Sequence, residues 1–206
     1  MTLPRFWKKP PLFLDRDGTL IEEVNYLSSL DQMRLLPGAA AAVRQANQAG
    51  LPVIVVTNQS GVARGYITEA FVRRSAVYLR ELLAGAGAHL DGHYYCPFLP
   101  EGLPPYDQDS PDRKPGAGML IQAAAELNLQ LEGAYMVGDK QADLDTGAEF
   151  GVIPVLIRTG YGRKTELKLK HTFSQRGGRV FEDLAEAMPW ILKNSALKNS
   201  GFPTDN

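Results

Sequence analysis

The sequence predicts an α/β protein in which a mostly parallel β-sheet is covered by helices on both faces. Short apolar runs alternate along the chain with segments of helical pattern, the rhythm of strand–helix–strand units. The runs are continuously apolar and rich in β-branched residues, as strands buried on both faces tend to be. With 206 residues, 44% of them apolar, the chain suits one domain with a substantial core.

The first strand is read in "LFLD", Leu12 to Asp15, and is followed by a long connection over residues 18–37. "PGAAAAVRQANQAG" (37–50) reads as a helix, with proline before its start and glycine at its end. "LPVIVVTN" (51–58) is the clearest strand. A helix follows from the N-cap Thr68 to glycines at 85 and 87, then a weaker strand in "GHYYC" (92–96). Residues 97–113 are proline-rich and not helical, and long loops of this kind are often functional. A third helix starts at Pro115, a fourth strand lies in "GAYMVGD" (133–139), a short helix in 140–151 and a fifth strand in "VIPVLIRTG" (152–160). The last helix is read in "FEDLAEAMPWILKN" (181–194), with a kink at Pro189. The expected organisation is one three-layer, Rossmann-like domain over residues 1–193 with a flexible tail over 194–206. The interval from Asp15 to Thr57 is used up by a connection and one helix, and that from Asn58 to Arg113 by a helix, a strand and the proline loop. Neither leaves room for a large cap domain.

A net charge of −1 gives no basic field, so nucleic acid is not an expected partner. A single cysteine, Cys96, precludes an internal disulfide. The first residues lack the apolar stretch of a signal peptide, and no run approaches the ~18 apolar residues of a membrane span. A cytoplasmic, monomeric protein with a small-molecule partner is expected.

Ligands of open α/β sheets bind beyond the carboxyl ends of the strands. Strand one ends there in Asp15-Arg16-Asp17-Gly18-Thr19, strand two in Thr57-Asn58-Gln59-Ser60-Gly61, and strand four in Gly138-Asp139-Lys140, followed by Asp143. Arg113-Lys114-Pro115 opens the third helix. Two carboxylates as close as Asp15 and Asp17 repel each other unless something binds them. Phosphoryl transfer gives each group a role. Asp15 serves as a carboxylate nucleophile. Asp17 serves as acid for the leaving alkoxide and then as base for water. Asp139 joins Asp15 in holding Mg²⁺, which favours carboxylates and substrate phosphate. Thr57, Arg113 and Lys114 stabilise the phosphoryl charge, and Gly18 lets the backbone turn near the phosphate.

The motifs "DRDGT", "VVTNQSGVARG", "RKP" and "VGDKQAD" resemble the four motifs of the haloacid dehalogenase superfamily of aspartate-nucleophile phosphatases. More narrowly, the chain resembles the D-glycero-D-manno-heptose-1,7-bisphosphate 7-phosphatases and the histidinol-phosphate phosphatases grouped with them, over residues 11–160. The resemblance implies a nucleophile at Asp15 and an acid/base at Asp17. It implies Mg²⁺ bound by Asp15, the Asp17 backbone carbonyl and Asp139. Substrate contacts are implied at Thr57, Asn58, Arg113, Lys114 and Lys140, with Gln59 and Ser60 in the same segment, and at the loop Glu23-Val24-Asn25-Tyr26.

One motif departs from that pattern. The subgroup usually carries a zinc loop, Cys-x-His followed by Cys-x-Cys before Arg-Lys-Pro; here the positions read Cys96-Pro97-Phe98 and Ser110-Pro111-Asp112. A structural zinc takes four N or S ligands, so no structural zinc is expected. Other readings stand beside these. Asp-x-Asp alone is common in solvated turns, and Asp143 either supports the site from behind or favours its helix start. Arg64 either reaches substrate or pins its loop, and His89 and His93 read as structural or surface residues. A phospho-signalling receiver domain would lack an acid two residues after its aspartate, and an inactive binding domain would not need the full acid set.

Overall fold

The computed structural model describes residues 7–198. In chain order its strands are β1 (Leu12–Leu14), β2 (Val53–Asn58), β3 (Gly92–Cys96), β4 (Tyr135–Gly138), β5 (Ile153–Ile157) and β6 (Arg179–Phe181). Its helices are α1 (Ala39–Gln48), α2 (Glu69–Gly85), α3 (Gly118–Leu127), α4 (Gln141–Asp145), α5 (Gly162–Glu166), α6 (His171–Gln175) and α7 (Leu184–Lys198). The six strands form one sheet in the order β3-β2-β1-β4-β5-β6, and every neighbouring pair is parallel. β1 is central, in register with Val53–Val55 on one side and Tyr135–Val137 on the other.

Side chains alternate between the two faces, as the strand period of two requires. Leu12, Leu14, Val53, Val55, Tyr135, Val137, Val155 and Ile157 pack with residues of α1, α2 and α7. Phe13, Ile54, Val56 and Met136 turn the other way and pack with Met119, Leu120 and Ala123 of α3. Because both faces are covered, the strands read as unbroken apolar runs. The three layers expected from the sequence are present, and no further domain is inserted between the strands.

Four features differ from the sequence reading. β6 is a sixth strand with no apolar run to announce it, since Arg179 is exposed and its two neighbours only half-buried. The short helices α5 and α6 were likewise not anticipated. The C-terminal tail does not begin at Asn194: α7 continues through Lys198, with Ser195 buried and its Oγ donating to the Leu192 carbonyl at 3.0 Å. Residues 199–206 lie outside those described. Pro189 sits inside α7 without ending it; the only helical donor it removes is its own, toward the Ala185 carbonyl.

The two long loops are not structureless. The connection after β1 is pinned by bridges Asp17–Ile21 and Ile21–Leu35 and by a 3₁₀ turn, Leu30–Gln32, capped by Ser29. The proline-rich loop is tied to the β2–α2 connection by the Leu103 N–H on the Ala63 carbonyl at 2.6 Å. It is also held to α2 by Glu69, which accepts from the Tyr95 hydroxyl at 2.5 Å and the Tyr106 hydroxyl at 2.8 Å. Those two hydrogen bonds hold the Glu69 carboxyl below its ordinary value.

The centre of the sheet carries the fold, so truncation there is expected to be severe. Leu14→Ala, at a fully buried position on β1, should destabilise the protein by roughly 2–5 kcal/mol, read as a lowered midpoint with an unchanged slope in urea denaturation.

Candidate active site

β1, β2 and β4 deliver their last residues to one edge of the sheet. Asp15 follows β1, with its N–H on the Val137 carbonyl at 2.9 Å. Thr57 and Asn58 end β2, and Asp139 follows β4. Lys114, from the turn before α3, reaches across. Its Nζ lies 2.7 Å from Asp15 Oδ1, 2.6 Å from Asp143 Oδ1 and 2.8 Å from the Val56 carbonyl. Asn58 fixes the backbone of that lysine twice: its Oδ1 accepts from the Lys114 N–H and its Nδ2 donates to the Lys114 carbonyl, both at 3.0 Å.

The electrostatics of this floor follow from burial working against charge. Burial alone would raise the Asp15 carboxyl, but the Lys114 and Lys140 charges outweigh it and hold Asp15 below its ordinary value. Burial would lower the Lys114 ammonium, yet Asp143 and Asp15 push it up. Asp143 is raised, chiefly by burial, against the pull of Lys114. Asp139 is fully buried, and burial, with Asp15 and Asp143 nearby, pushes it up to about 7 against the pull of Lys140. Its Oδ2 accepts from the Tyr161 N–H at 2.7 Å, whereas its Oδ1 is buried with no hydrogen-bond partner.

That orphaned oxygen bears on metal binding. Oxygens of Asp15, Asp139 and Asp143 lie within 4.8 Å of one another, the only such group of three or more metal-ligating side chains among the described residues. An all-oxygen, acidic set with one acceptor unsatisfied fits a hard divalent cation such as Mg²⁺. Asp143 is the least free of the three, because Lys114 takes Oδ1 and the Lys140 N–H donates to Oδ2 at 2.9 Å. Both of its oxygens are thus engaged by protein donors, one of them the Lys114 ammonium. Gly18 is the close approach in this floor: it has φ +82°, and a Cβ there would collide with the Asp139 carboxylate.

Asp17 stands on the cleft side, its carboxylate held by Arg16 and Gln59 rather than by the acidic cluster. Gln59 Nε2 also donates to Thr57 Oγ1 at 2.9 Å. Asp15, Asp17, Thr57, Asn58, Lys114, Lys140 and Asp143 line a small recess. It adjoins a cleft of about 380 Å³ that Glu23, Asn25, Tyr26, Gln59, Ser60, Arg113 and Tyr161 help to enclose. Lys140 is paired with Glu23 Oε2 at 2.9 Å, and against burial the Asp15, Asp139 and Glu23 carboxylates raise it.

Thus the structure gathers nearly every residue expected at the site. Val24 is the exception: it does not line the cleft but packs partly buried on the core beneath. Asn58 and Gln59 line the cleft but spend their amides on Lys114, Thr57 and Asp17. Arg64 is exposed and away from the cleft, its N–H on the Ser60 carbonyl at 3.0 Å. His93 is held neutral, pushed down to about 3 by burial and then by the Arg16 and Arg80 charges. Cys96 is buried, its thiol raised by burial against hydrogen bonds from Phe98 and Ser110.

Two site residues were missed. Arg16 looked like the spacer of Asp-x-Asp, and nothing in the neighbouring residues marked it otherwise. Tyr161 follows β5, a strand end left out of the reckoning. Its N–H holds Asp139, its hydroxyl donates to Asn25 Oδ1 at 2.9 Å, and Lys140 Nζ lies 5.0 Å from its ring centre.

Fold and floor together define the class: a phosphoric monoester hydrolase built on an open α/β sheet. Comparison with known proteins agrees. A family model described as haloacid dehalogenase-like hydrolase matches residues 12–78, and a HAD-hydrolase-like model matches residues 112–187. A D-glycero-D-manno-heptose-1,7-bisphosphate 7-phosphatase from Thermosynechococcus vestitus is 41% identical over 193 residues, covering 91% of this chain and 98% of that protein. A D-glycero-beta-D-manno-heptose-1,7-bisphosphate 7-phosphatase from Pasteurella multocida is 42% identical over 153 residues, 74% of this chain and 83% of that protein. The crystal structure of D,D-heptose 1.7-bisphosphate phosphatase from B. bronchiseptica, complexed with magnesium and phosphate, aligns with TM-score 0.79 and 33% identity over 90% of this chain and 99% of that one. This chain belongs to the haloacid dehalogenase-like hydrolases. Among the described residues, no helix is long and apolar enough to cross a membrane.

The Asp139 carboxyl sets a pH dependence. Below about pH 7 it carries a proton in the cation-free protein, and that proton must leave when a cation binds. Apparent Mg²⁺ affinity should therefore fall as pH drops from 8 to 6, with proton release on binding, measurable by titration calorimetry in buffers of different ionisation heat.

Proposed function

We propose that this protein is a Mg²⁺-dependent phosphatase that hydrolyses D-glycero-D-manno-heptose 1,7-bisphosphate at the 7-position through an aspartyl-phosphate. The observation that carries the reading is the shared recess, where the lysine-paired Asp15 and the cleft-facing Asp17 border one small space. The names borne by the relatives supply the substrate.

Asp15 Oδ1 is engaged by Lys114, which leaves Oδ2 to attack phosphorus. As the Asp15–phosphorus bond forms and the phosphorus–alkoxide bond breaks, Asp17 passes its proton to the departing oxygen. Asp17 then takes a proton from water, whose oxygen attacks phosphorus, releasing inorganic phosphate and restoring the Asp15 carboxylate. Thr57 and Lys114 stabilise charge on the phosphoryl oxygens. Mg²⁺, held by Asp15, Asp139 and the Asp17 carbonyl, would supply further positive charge at the same oxygens. The loop bearing Cys96, Phe98, Ser110 and Asp112 offers one thiol, and we read it as free of zinc.

Asp15→Asn keeps the size of the nucleophile and removes its charge. Turnover of the folded variant should fall by a factor on the order of 10³ or more; near-normal phosphate release would rule out the covalent route. A screen of sugar mono- and bisphosphates, with histidinol phosphate as the competitor, tests the substrate.

Arg113 is the candidate grip for the second phosphate. Its Nη1 donates to the Phe98 carbonyl at 3.1 Å, which fixes the guanidinium at the cleft wall and leaves further N–H groups for a ligand. Arg113→Ala should lower kcat/KM for the bisphosphate by roughly 10- to 100-fold, about one charge-assisted contact. p-Nitrophenyl phosphate should suffer much less. Equal losses would place Arg113 at the reacting phosphate instead.

A further inference from the structure

A charged side chain sits inside this protein outside the Asp15–Asp139–Asp143 cluster. Arg16 is 2% exposed and is the largest fully buried side chain of the described residues. A guanidinium cannot be neutralised by losing its proton, so every burial of it must be justified by acceptors. Arg16 has three. Its Nε donates to Asp17 Oδ2 at 3.0 Å, and its Nη2 lies between the two oxygens, 2.9 Å from Oδ2 and 3.1 Å from Oδ1, so the fork grips the whole carboxylate. Nη2 also donates to Gln59 Oε1 at 3.0 Å, and Nη1 donates to Ser75 Oγ at 3.0 Å.

Those partners are themselves fixed. Ser75 is a fully buried hydroxyl on the inner side of α2, and it donates to the Val72 carbonyl at 2.8 Å. Gln59 is 5% exposed and its N–H is on the Cys96 carbonyl at 2.7 Å. Its Nε2 donates both to Asp17 Oδ2 at 3.0 Å and to Thr57 Oγ1. The chain of contacts thus runs from α2 through Arg16 and Gln59 to Asp17, and every side chain behind the carboxylate is buried and hydrogen-bonded.

The two Asp17 oxygens are not equivalent in this setting. Oδ2 meets Arg16 Nε, Gln59 Nε2 and, at 2.9 Å, Arg16 Nη2, whereas Oδ1 has only the longer contact with Arg16 Nη2. We propose that Arg16, braced by Ser75 and Gln59, is the positioning residue for Asp17, and that the grip assigns Oδ1 as the atom that gives and takes the proton. This deepens the acid/base reading of Asp17 and rests on it. In the first step the proton moves from Oδ1 to the leaving alkoxide oxygen as its bond to phosphorus breaks. In the second it returns to Oδ1 from the attacking water. The buried polar residue on α2, otherwise a costly insertion in an apolar face, is explained by this duty.

The test exploits leaving groups. A sugar alkoxide needs a proton to depart, whereas p-nitrophenolate does not, and kcat/KM reports the step in which either leaves. Wild type, Asp17→Asn, Arg16→Lys, Ser75→Ala and the double variant Arg16→Lys/Asp17→Asn are measured with a sugar phosphate and with p-nitrophenyl phosphate. Lysine keeps the charge but cannot span both oxygens. Arg16→Lys should lower kcat/KM for the sugar phosphate by roughly 10- to 100-fold, part of the 10²–10⁴ of general acid catalysis. The ratio of sugar to aryl rates should drop about tenfold or more. Ser75→Ala, which touches neither Asp17 nor the cleft, should shift the ratio in the same direction by less, and remains informative if Arg16→Lys does not fold. In the Asp17→Asn background, Arg16→Lys should change the ratio no further. If Asp17→Asn shows the asymmetry while Arg16→Lys and Ser75→Ala lower both substrates alike, or neither, the positioning role is overturned and the acid/base reading survives. If Asp17→Asn itself lowers both alike, the acid/base reading falls and this proposal with it.

Discussion

The Lys114 ammonium lies between the Asp15 and Asp143 carboxylates, within 2.7 Å of each, and all three side chains are almost closed to water. Without that cation two carboxylates would face each other at low dielectric, where one of them would have to take up a proton. The pair geometry holds Asp15 as an anion, the form a nucleophile needs. Removing one partner of such a buried set typically costs about 3–5 kcal/mol, because the other charge is left uncompensated. The lysine is therefore as much a condition of the folded floor as of its chemistry. Asn58 fixes its backbone, and the Val56 carbonyl and Asp143 accept from its ammonium.

Two acids only two residues apart are given separate environments. Asp15 is committed to Lys114 and to the oxygen cluster that contains the unsatisfied Asp139 Oδ1. Asp17 is turned toward the cleft and gripped by Arg16 and Gln59. Divergent surroundings are how neighbouring carboxyls acquire different roles. Just beyond them Gly18 turns the chain with a positive φ and leaves room for Asp139 beside it. The loops above are then tied together by side chains. Glu23 takes Lys140, Asn25 takes the Tyr161 hydroxyl, and Tyr161 returns through its N–H to Asp139. The cleft wall and its floor are thus one hydrogen-bonded unit.

Much of this arrangement was legible in the residues. An apolar run ending in paired acids is ambiguous by itself, but the other strand ends carried matching groups, and together they point to a bound charge. Continuous β-branched strands imply a sheet covered on both faces, since an exposed face would need polar residues at every second position. Glycines and prolines marked the ends of α1, and Thr68 marked the start of α2, through local backbone chemistry that needs no distant partner.

Other features depended on contacts far apart in sequence. β6 has only three residues, too short a run to announce a strand, so only its pairing with β5 makes it one. α7 runs past Asn194 with Ser195 buried, and that burial is not recorded in any local propensity. Val24 packs inward where a substrate contact was expected, a choice set by how the connection after β1 folds back through the Ile21 and Leu35 bridge. Arg16 gave no sign of its role, because its acceptors come from residues 59 and 75 as well as from its neighbour. The sequence by itself determined the strand order of chemistry, that is, which reactive groups sit at which strand end, because strand and helix periods are local. Only the tertiary structure decided which of those groups face each other, which are spent on holding one another, and which stay free for a ligand, because burial and charge pairing act between segments that are neighbours only after folding.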